Sequence, residues 1–263
     1  MKISIITINY NNSSGLERTI KSVVNQDYND VEFIIIDGGS TDSSVNVIKQ
    51  FKENISLWIS EPDKGIYYAM NKGIERCTGE WVNFMNSGDT FFDNNIISTI
   101  FSYSHTADVL YGDNILEYNW GSIVLGPDEL SKTKQKMVFG HQTSFTKSEI
   151  LRKYKFDTEF ELAADFKLFH TLYQEGYSFE YIPICISICD AKSGISKTAP
   201  IIAFKEDAII TGRINDKNWE VSFLCYKIRI FLRAIIVNLF PGDILKIIIK
   251  KNTLKNKLIK KVF

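Results

Sequence analysis

The sequence predicts an α/β protein: a parallel sheet covered by helices on both faces, a mixed second half, and a basic helical appendage at the C-terminal end. Three observations carry this prediction. Short β-branched runs alternate with amphipathic stretches, each run ends in a polar or glycine-containing turn, and charge is divided between an acidic body and a basic tail.

The runs at residues 3–8, 31–36, 57–60 and 81–85 are short and apolar, as strands buried on both faces must be, and the first is β-branched. Between them, residues 16–24, 45–51 and 66–74 repeat apolar side chains at helical spacing. Strand, helix and strand in regular alternation imply parallel pairing. After Asp89 the pattern changes. A helix is expected over 94–102, a strand near 108–111, and a second strand from Asn114 returning antiparallel through a Gly112-Asp113 turn. Residues 126–140 are Lys-containing and weakly periodic, which predicts a mobile loop near the site. A strand over 143–146 follows, and an amphipathic helix runs from near Asp165 to Gln174.

The 263 residues suffice for one large domain with an appendage. A composition 44% hydrophobic and 24% charged excludes both a disordered chain and a bundle of membrane spans. A net charge of zero argues against a general nucleic-acid binder. Residues 1–12 hold one positive charge and a short apolar run without a cleavage site, so they read as a strand and not as a signal peptide. The cysteines at 77, 185, 189 and 225 have no Cys-x-x-Cys spacing, which predicts reduced thiols and a cytoplasmic location.

The charge is uneven. Residues 221–263 contain ten Lys/Arg against one acid, Asp243, whereas residues 1–220 hold 21 basic and 30 acidic residues. The tail divides into 226–240, a Pro241-Gly242 break and 243–261. Arg229 and Arg233 interrupt its first apolar run, so spanning a bilayer is not expected and helices lying on an anionic membrane surface are. A helical cap packed on the catalytic domain is the other reading of the same pattern.

In open α/β sheets ligands bind at the carboxyl ends of the strands. Those ends carry Asn9-Tyr10-Asn11-Asn12, Asp37-Gly38-Gly39-Ser40-Thr41-Asp42 and Asn86-Ser87-Gly88-Asp89. Asp37 closes a strand and opens a turn whose glycines permit close approach of a ligand, with a structural turn and helix cap as the alternative. Asp63 lies between a strand and a helix N-terminus, a place suited to a ribose hydroxyl and a pyrophosphate. Asp89 is positioned to hold Mg²⁺ or Mn²⁺ against two phosphates, since such ions take few protein carboxylates when a diphosphate supplies oxygens.

Five segments, Thr7 to Asn11, Asp37 to Asp42, Asp63-Lys64-Gly65-Ile66-Tyr67, Ala69-Met70-Asn71-Lys72-Gly73 and Asn86 to Asp89, resemble in order and spacing the nucleotide-binding half of family 2 glycosyltransferases. The similarity extends over about residues 1–215, leaving 216–263 as the tail. This resemblance implies a GT-A fold, a UDP-sugar donor and inversion at the anomeric carbon. It assigns Thr7, Asn9, Asn11, Asp37, Gly38, Asp63, Gly65, Asn71, Lys72, Ser87 and Gly88 to the nucleotide-sugar, with Asp37 and Asp63 at uracil and ribose. Asp89 matches the metal-binding last acid of the family's Asp-x-Asp motif, whose first acid is Ser87 in this chain. Asp165 matches the catalytic base, and its alternative is a helix-capping acid. His141-Gln142 resembles a His-Gln pair of bacterial members, and with Glu161 it is expected on the acceptor side.

The implied reaction is a single displacement in which Asp165 deprotonates an acceptor hydroxyl. The basic tail and the resemblance together suggest a glycan acceptor linked to undecaprenyl diphosphate. The enzyme would then sit on the inner face of the cell membrane, in O-antigen, capsule or exopolysaccharide assembly. A nicotinamide- or methyl-transferring α/β enzyme is set aside, because Asn9-Tyr10-Asn11-Asn12 stands where a Gly-x-Gly-x-x-Gly loop would. A non-catalytic nucleotide-sugar-binding protein of the same fold is the remaining alternative.

Overall fold

The first strand sets the layers. In a computed structural model describing residues 1–118, 121–191 and 199–239, β1 (Ile3–Asn9) is buried along its whole length. Its side chains alternate between faces. Ile3 and Ile5 pack with Leu16 and Ile20 of α1 (Ser13–Val24) and with Val47 and Ile48 of α2 (Ser44–Gln50). Ile6 and Ile8 pack on the opposite face with Met70 and Ile74 of α3 (Ile66–Arg76). A Cβ on Gly73 would lie 2.6 Å from Ile6 Cγ2, so α3 sits as close to β1 as it does only because residue 73 is glycine.

β2 (Val31–Asp37), β3 (Leu57–Ser60) and β4 (Trp81–Phe84) run parallel in the order β3-β2-β1-β4, as the alternation of elements predicts. The sheet continues through β8 (Ser144–Lys147), β6 (Val109–Tyr118), β9 (Phe179–Asp190) and β5 (Thr90–Phe91), with β7 (Gly121–Leu125) paired to the far half of β6. β8 is antiparallel to both β4 and β6, which makes the second half mixed, as expected.

Three expectations are corrected. No turn forms at Gly112-Asp113: β6 runs through them because its partner β9 pairs on both sides, with register shifts between Tyr111 and Asp113 and between Asp113 and Asn114. The glycine serves a bulge, since a Cβ on Gly112 would lie 2.7 Å from Ile186 Cδ1. Residues 126–140 are also more than a bare loop. They contain a 3₁₀ turn, Leu130–Lys134, ion pairs from Asp128 to Lys132 and Lys136, and a buried Phe139 stacked 4.5 Å from Tyr111. The helix expected over 94–102 is confined to α4 (Ile96–Ile100).

α5 (Ser148–Tyr154) and α6 (Ala164–Gln174) complete the face bearing α3. α7 (Pro200–Ile210) begins with proline, whose missing N–H costs nothing at a helix start. α8 (Trp219–Leu239) meets α7 through Phe204, whose ring lies 5.7 Å from Trp219 and 4.0 Å from Tyr226. Elsewhere on α8, Val221, Leu224, Ile228, Phe231, Leu232 and Ile235 are exposed, at spacings of three and four that make one stripe. No helix among the described residues is long and apolar enough to cross a membrane. The predicted break at Pro241-Gly242 and the helix over 243–261 lie outside the described residues. The four cysteines are free.

Candidate active site

Strand register places the first group. Asn9 pairs with Asp37, and Asp37 with Ser60, so three strand ends lie side by side. The fully buried Asp37 carboxylate accepts from Asn9 Nδ2 (2.7 Å), Ser40 Oγ (2.6 Å), Ser60 Oγ (2.6 Å) and the Ser40 amide (3.0 Å). Burial opposes its charge, but the bonds from Ser40, Ser60 and Asn9 outweigh burial and hold its pKa below the ordinary value. Its four lone-pair sites are thus all used by the protein. The turn that follows is tight: Gly39 has φ +77°, and a Cβ there would lie 2.9 Å from Pro62 N.

Asp37→Asn is expected to lower unfolding stability by about 1–3 kcal/mol, the cost of leaving buried donors unsatisfied. Chemical denaturation at neutral pH measures it. Because the folded pKa is depressed, the wild-type contribution is present above the unfolded carboxylate value and is lost as pH falls through the folded one. The difference between wild type and variant should therefore shrink in acid.

Asp63 faces the same edge from the other side. Its Oδ1 binds Lys72 Nζ at 2.7 Å, and Lys72 also reaches Glu61 at 2.7 Å. Its Oδ2 is buried with no partner and lies 3.7 Å from the place a Cβ on Gly38 would take. A buried carboxylate oxygen without a donor is costly, so this atom marks where a ligand N–H or O–H fits. Gly65, at φ +143°, precedes α3. Other sequence-predicted residues have structural partners. Thr7 Oγ1 donates to Met85 O (2.7 Å), Asn11 Oδ1 accepts the Thr41 amide (2.8 Å), and Asn71 holds the Phe156 carbonyl and amide (2.7 and 2.8 Å).

The stretch after β4 is stapled to α1. Ser87 Oγ donates to Asn12 O, Asn12 Nδ2 donates back to Ser87 O, and the amide of Gly88 (φ +107°) donates to Thr19 Oγ1. Asp89 is thereby held in the interior, 8% exposed, where Oδ1 accepts the Asp190 amide (2.9 Å) and Oδ2 accepts Gln142 Nε2 (3.0 Å). Burial pushes its pKa up despite those bonds.

Asp165 stands in the first turn of α6, where the helix dipole favours an acid. Oδ1 accepts Tyr67 Oη (3.1 Å) and the Phe166 amide (2.8 Å), and Oδ2 contacts His141 Nδ1 (2.9 Å). Burial opposes ionisation, but His141, the Phe166 amide and Tyr67 outweigh it and hold the pKa below the ordinary value. Burial, with the charge of Asp165, drives the Tyr67 phenol far above its ordinary range, so Tyr67 remains a donor.

A single 3₁₀ turn, His141–Thr143, joins the two acids. His141 Nε2 lies 3.0 Å from Asn86 Nδ2 while Nδ1 faces Asp165, and the next residue, Gln142, holds Asp89. With Asn86 donating, Nε2 accepts and Nδ1–H donates to Asp165. Asn86 Oδ1 is buried without a partner. Asp37 and Asp63 form one cluster and Asp89, His141, Gln142 and Asp165 another, whereas Glu161 is exposed and contributes its amide, not its side chain, to a named contact.

Sequence reasoning missed Asp190, whose amide holds Asp89 and whose carboxylate is 3.5 Å from Arg18 Nη2. It ends β9, and the strand-end logic that selected Asp37 would have found it. Tyr67 closes the Asp63–Tyr67 segment with no role assigned by the sequence, and its phenol donates to Asp165.

Among the described residues, no three of His, Cys, Asp and Glu gather into a metal cage. The donor set fits a hard divalent cation that takes most of its shell from a diphosphate. Asp89 keeps two of its four lone-pair sites, and as a buried carboxylate with a raised pKa it gains from a neighbouring cation.

A family model described as Glycosyl transferase family 2 matches residues 4–171, a stretch containing Asp37, Asp63, Asp89, His141 and Asp165. The chain belongs to glycosyl transferase family 2. As in other family 2 members, the mixed sheet with flanking helices is the GT-A fold. It superposes on crystal structures of Staphylococcus aureus TarS 1-349 in complex with UDP-GlcNAc (TM-score 0.65, 16% identity, 85% of this chain, 69% of that one). It also superposes on the mannosyltransferase PcManGT from Pyrobaculum calidifontis in complex with GDP-Man and Mn²⁺ (TM-score 0.61, 17% identity, 77% of this chain, 60% of that one). In sequence, this family 2 member is 35% identical over 177 residues to an uncharacterized glycosyltransferase, Rv1514c, of Mycobacterium tuberculosis H37Rv. That match covers 62% of this chain and 65% of the relative, just under two thirds of its length. A PGL/p-HBAD biosynthesis glycosyltransferase of Mycobacterium bovis BCG is 28% identical over 151 residues, covering 54% of this chain and 57% of the relative.

Proposed function

We propose that this protein is an inverting, metal-dependent glycosyltransferase that moves a sugar from a UDP-sugar to a hydroxyl of an acceptor glycan. One observation carries the reading: the His141-Gln142 turn ties Asp165, a carboxylate kept ionised, to Asp89, a buried carboxylate suited to a cation. Base and leaving-group ends of a displacement are thereby fixed to one rigid element.

Three of the four lone-pair sites of Asp165 are occupied, and the fourth, on Oδ2, takes the proton of the acceptor hydroxyl as its oxygen attacks the anomeric carbon. Tyr67 and His141 hold the carboxylate in place. UDP leaves from the opposite face, and a single displacement inverts the anomeric centre. Bound at Asp89, Mn²⁺ or Mg²⁺ supplies positive charge to the diphosphate.

The fold carries UDP-GlcNAc in TarS and GDP-Man in PcManGT, so fold alone leaves the base open. The UDP reading rests on the Asp37 and Asp63 edge, with the bare Asp63 Oδ2 as the acceptor for a ribose hydroxyl or uracil N–H. Asn9, Asn11, Gly38, Gly65, Asn71, Lys72, Ser87 and Gly88 shape that donor side. A cavity of about 330 Å³, lined in part by Asn114, Gly126, Lys136 and Gly140, the residue before His141, is the proposed acceptor site. Screening UDP-sugars for Mn²⁺-dependent thermal stabilisation tests the donor, since a ligand at 100 times its dissociation constant adds about 2.7 kcal/mol. Absence of stabilisation by every UDP-sugar, with stabilisation by a GDP-sugar, rejects uracil.

The acceptor is read as lipid-linked, presented as undecaprenyl diphosphate at the inner membrane face. The support is the basic tail together with the exposed stripe on α8. Substituting both Leu224 and Phe231 by Glu in the full chain should lower co-sedimentation with phosphatidylglycerol vesicles at least tenfold. Undiminished co-sedimentation would rule out this face as the attachment.

A further inference from the structure

A helix start leaves amide N–H groups without intrahelical partners, and α6 is no exception. Its N-cap, Ala163, has no side chain able to cap. For the N-cap amide and the two residues before it, an acceptor comes from a distant part of the chain. Glu206, in the middle of α7 and 8% exposed, accepts the amides of Glu161 (2.7 Å, Oε1), Leu162 (2.9 Å, Oε2) and Ala163 (2.8 Å, Oε2). Charge-assisted bonds of this kind are stronger than neutral ones, and three of them fix three consecutive residues. Asp165 is two residues beyond the last.

Glu206 lies outside residues 4–171, the stretch matched by the family model, so nothing in that match accounts for it. α7 also comes near the base itself. Burial pushes the neighbouring Asp207 up to about 6, opposed by Arg213 and reinforced by the charges of Asp165 and Glu206. A buried carboxylate in a helix otherwise rich in Ile is expensive, and an apolar residue would pack there without desolvating a charge.

We propose that Glu206 is a positioning residue for glycosyl transfer, clamping residues 161–163 at the entry to α6 from α7 and so fixing Asp165 against His141 and Tyr67. The proposal rests on the reading of Asp165 as the base. A displacement of about 1 Å at a reacting group costs on the order of a hundredfold in rate. Glu206→Gln is therefore expected to lower UDP release from the UDP-sugar donor ten- to hundredfold. The dissociation constant and stoichiometry of UDP with Mn²⁺ should stay within twofold, because Glu206 touches nothing at Asp37, Asp63 or Asp89.

Three measurements separate this from a merely structural role. UDP titration into Glu206→Gln should give full stoichiometry, whereas a loss of binding sites in proportion to the loss of rate overturns the proposal. Adding Glu206→Gln to Asp165→Asn should cost little beyond Asp165→Asn alone, whereas multiplying losses overturn it. In the wild-type chain, the amides of residues 161–163 should resist hydrogen exchange as strongly as those inside α6, and exchange at exposed-loop rates overturns it even if the variant does not fold. Undiminished turnover in Asp165→Asn alone would instead reject the base, while the exchange result still reports on the clamp.

Discussion

Asp165→Asn is expected to lower the rate of UDP release by about 10²- to 10⁴-fold, the usual worth of a general base. The amide keeps the shape of the carboxylate, and its Oδ1 still accepts Tyr67 and the Phe166 amide. It has no basic oxygen for the acceptor proton, and an Nδ2 facing His141 Nδ1 sets two donors against each other unless the imidazole changes tautomer. Nucleotide affinity should change little, so the loss falls on kcat. The wild-type profile carries a second expectation. With its pKa held below the ordinary value of 3.8, Asp165 is ionised throughout the neutral range, and its protonation removes activity only at pH below that ordinary value. An acid limb above about pH 6 that disappears in Asp165→Asn would contradict this electrostatic account.

Asp89→Asn is expected to abolish Mn²⁺-dependent stabilisation by UDP, about 2.7 kcal/mol at a hundredfold excess over the dissociation constant, and UDP release with it. The same substitution should leave the nucleotide-free protein as stable as wild type or more so. Asp89 is buried with a raised pKa, which means that its ionised form costs folding stability above that pKa and the cost disappears in acid. A neutral amide removes that cost, and Gln142 has only to turn its side-chain amide to pair with it. Thermal unfolding with and without UDP and Mn²⁺ reads both effects. A strongly destabilised apo variant would mean that Asp89 is chiefly structural.

The parallel half was legible because its strands are set by local pattern. Ile3, Ile5, Ile6 and Ile8 announce a strand buried on both faces, and alternation with amphipathic helices leaves one way to connect such strands. The failures came where distant pairing overrides local chemistry. Gly112-Asp113 reads as a turn, yet β9 pairs along β6 on both sides of it and turns the glycine into a bulge. Residues 126–140 look like a loop by periodicity, because Val138 and Phe139 enter the core from irregular backbone.

The site divides the same way. Asp37, Asp63 and Asp89 follow strands whose ends the pattern locates, and motif resemblance placed Asp165 and His141-Gln142 near them. What pattern could not give is which donor meets which oxygen. Asp190 approaches Asp89 only because β9 pairs with β5, the short strand that follows Asp89, and Glu206 holds the residues leading into α6 only because α7 folds back on them. Ser87, where the family's first acid is absent, uses its hydroxyl to hold Asn12. In the proposed reaction the cation would therefore depend on Asp89 and the diphosphate.

The central claim is that one turn unites a binding acid and a reacting acid with separate duties. Its most direct test is to measure UDP–Mn²⁺ affinity and UDP release for wild type, Asp89→Asn and Asp165→Asn under one set of conditions. The account predicts that Asp165→Asn binds like wild type but turns over at least a hundredfold more slowly, whereas Asp89→Asn loses binding and turnover together. Equal loss of nucleotide affinity in both variants, or wild-type turnover in Asp165→Asn, would contradict it.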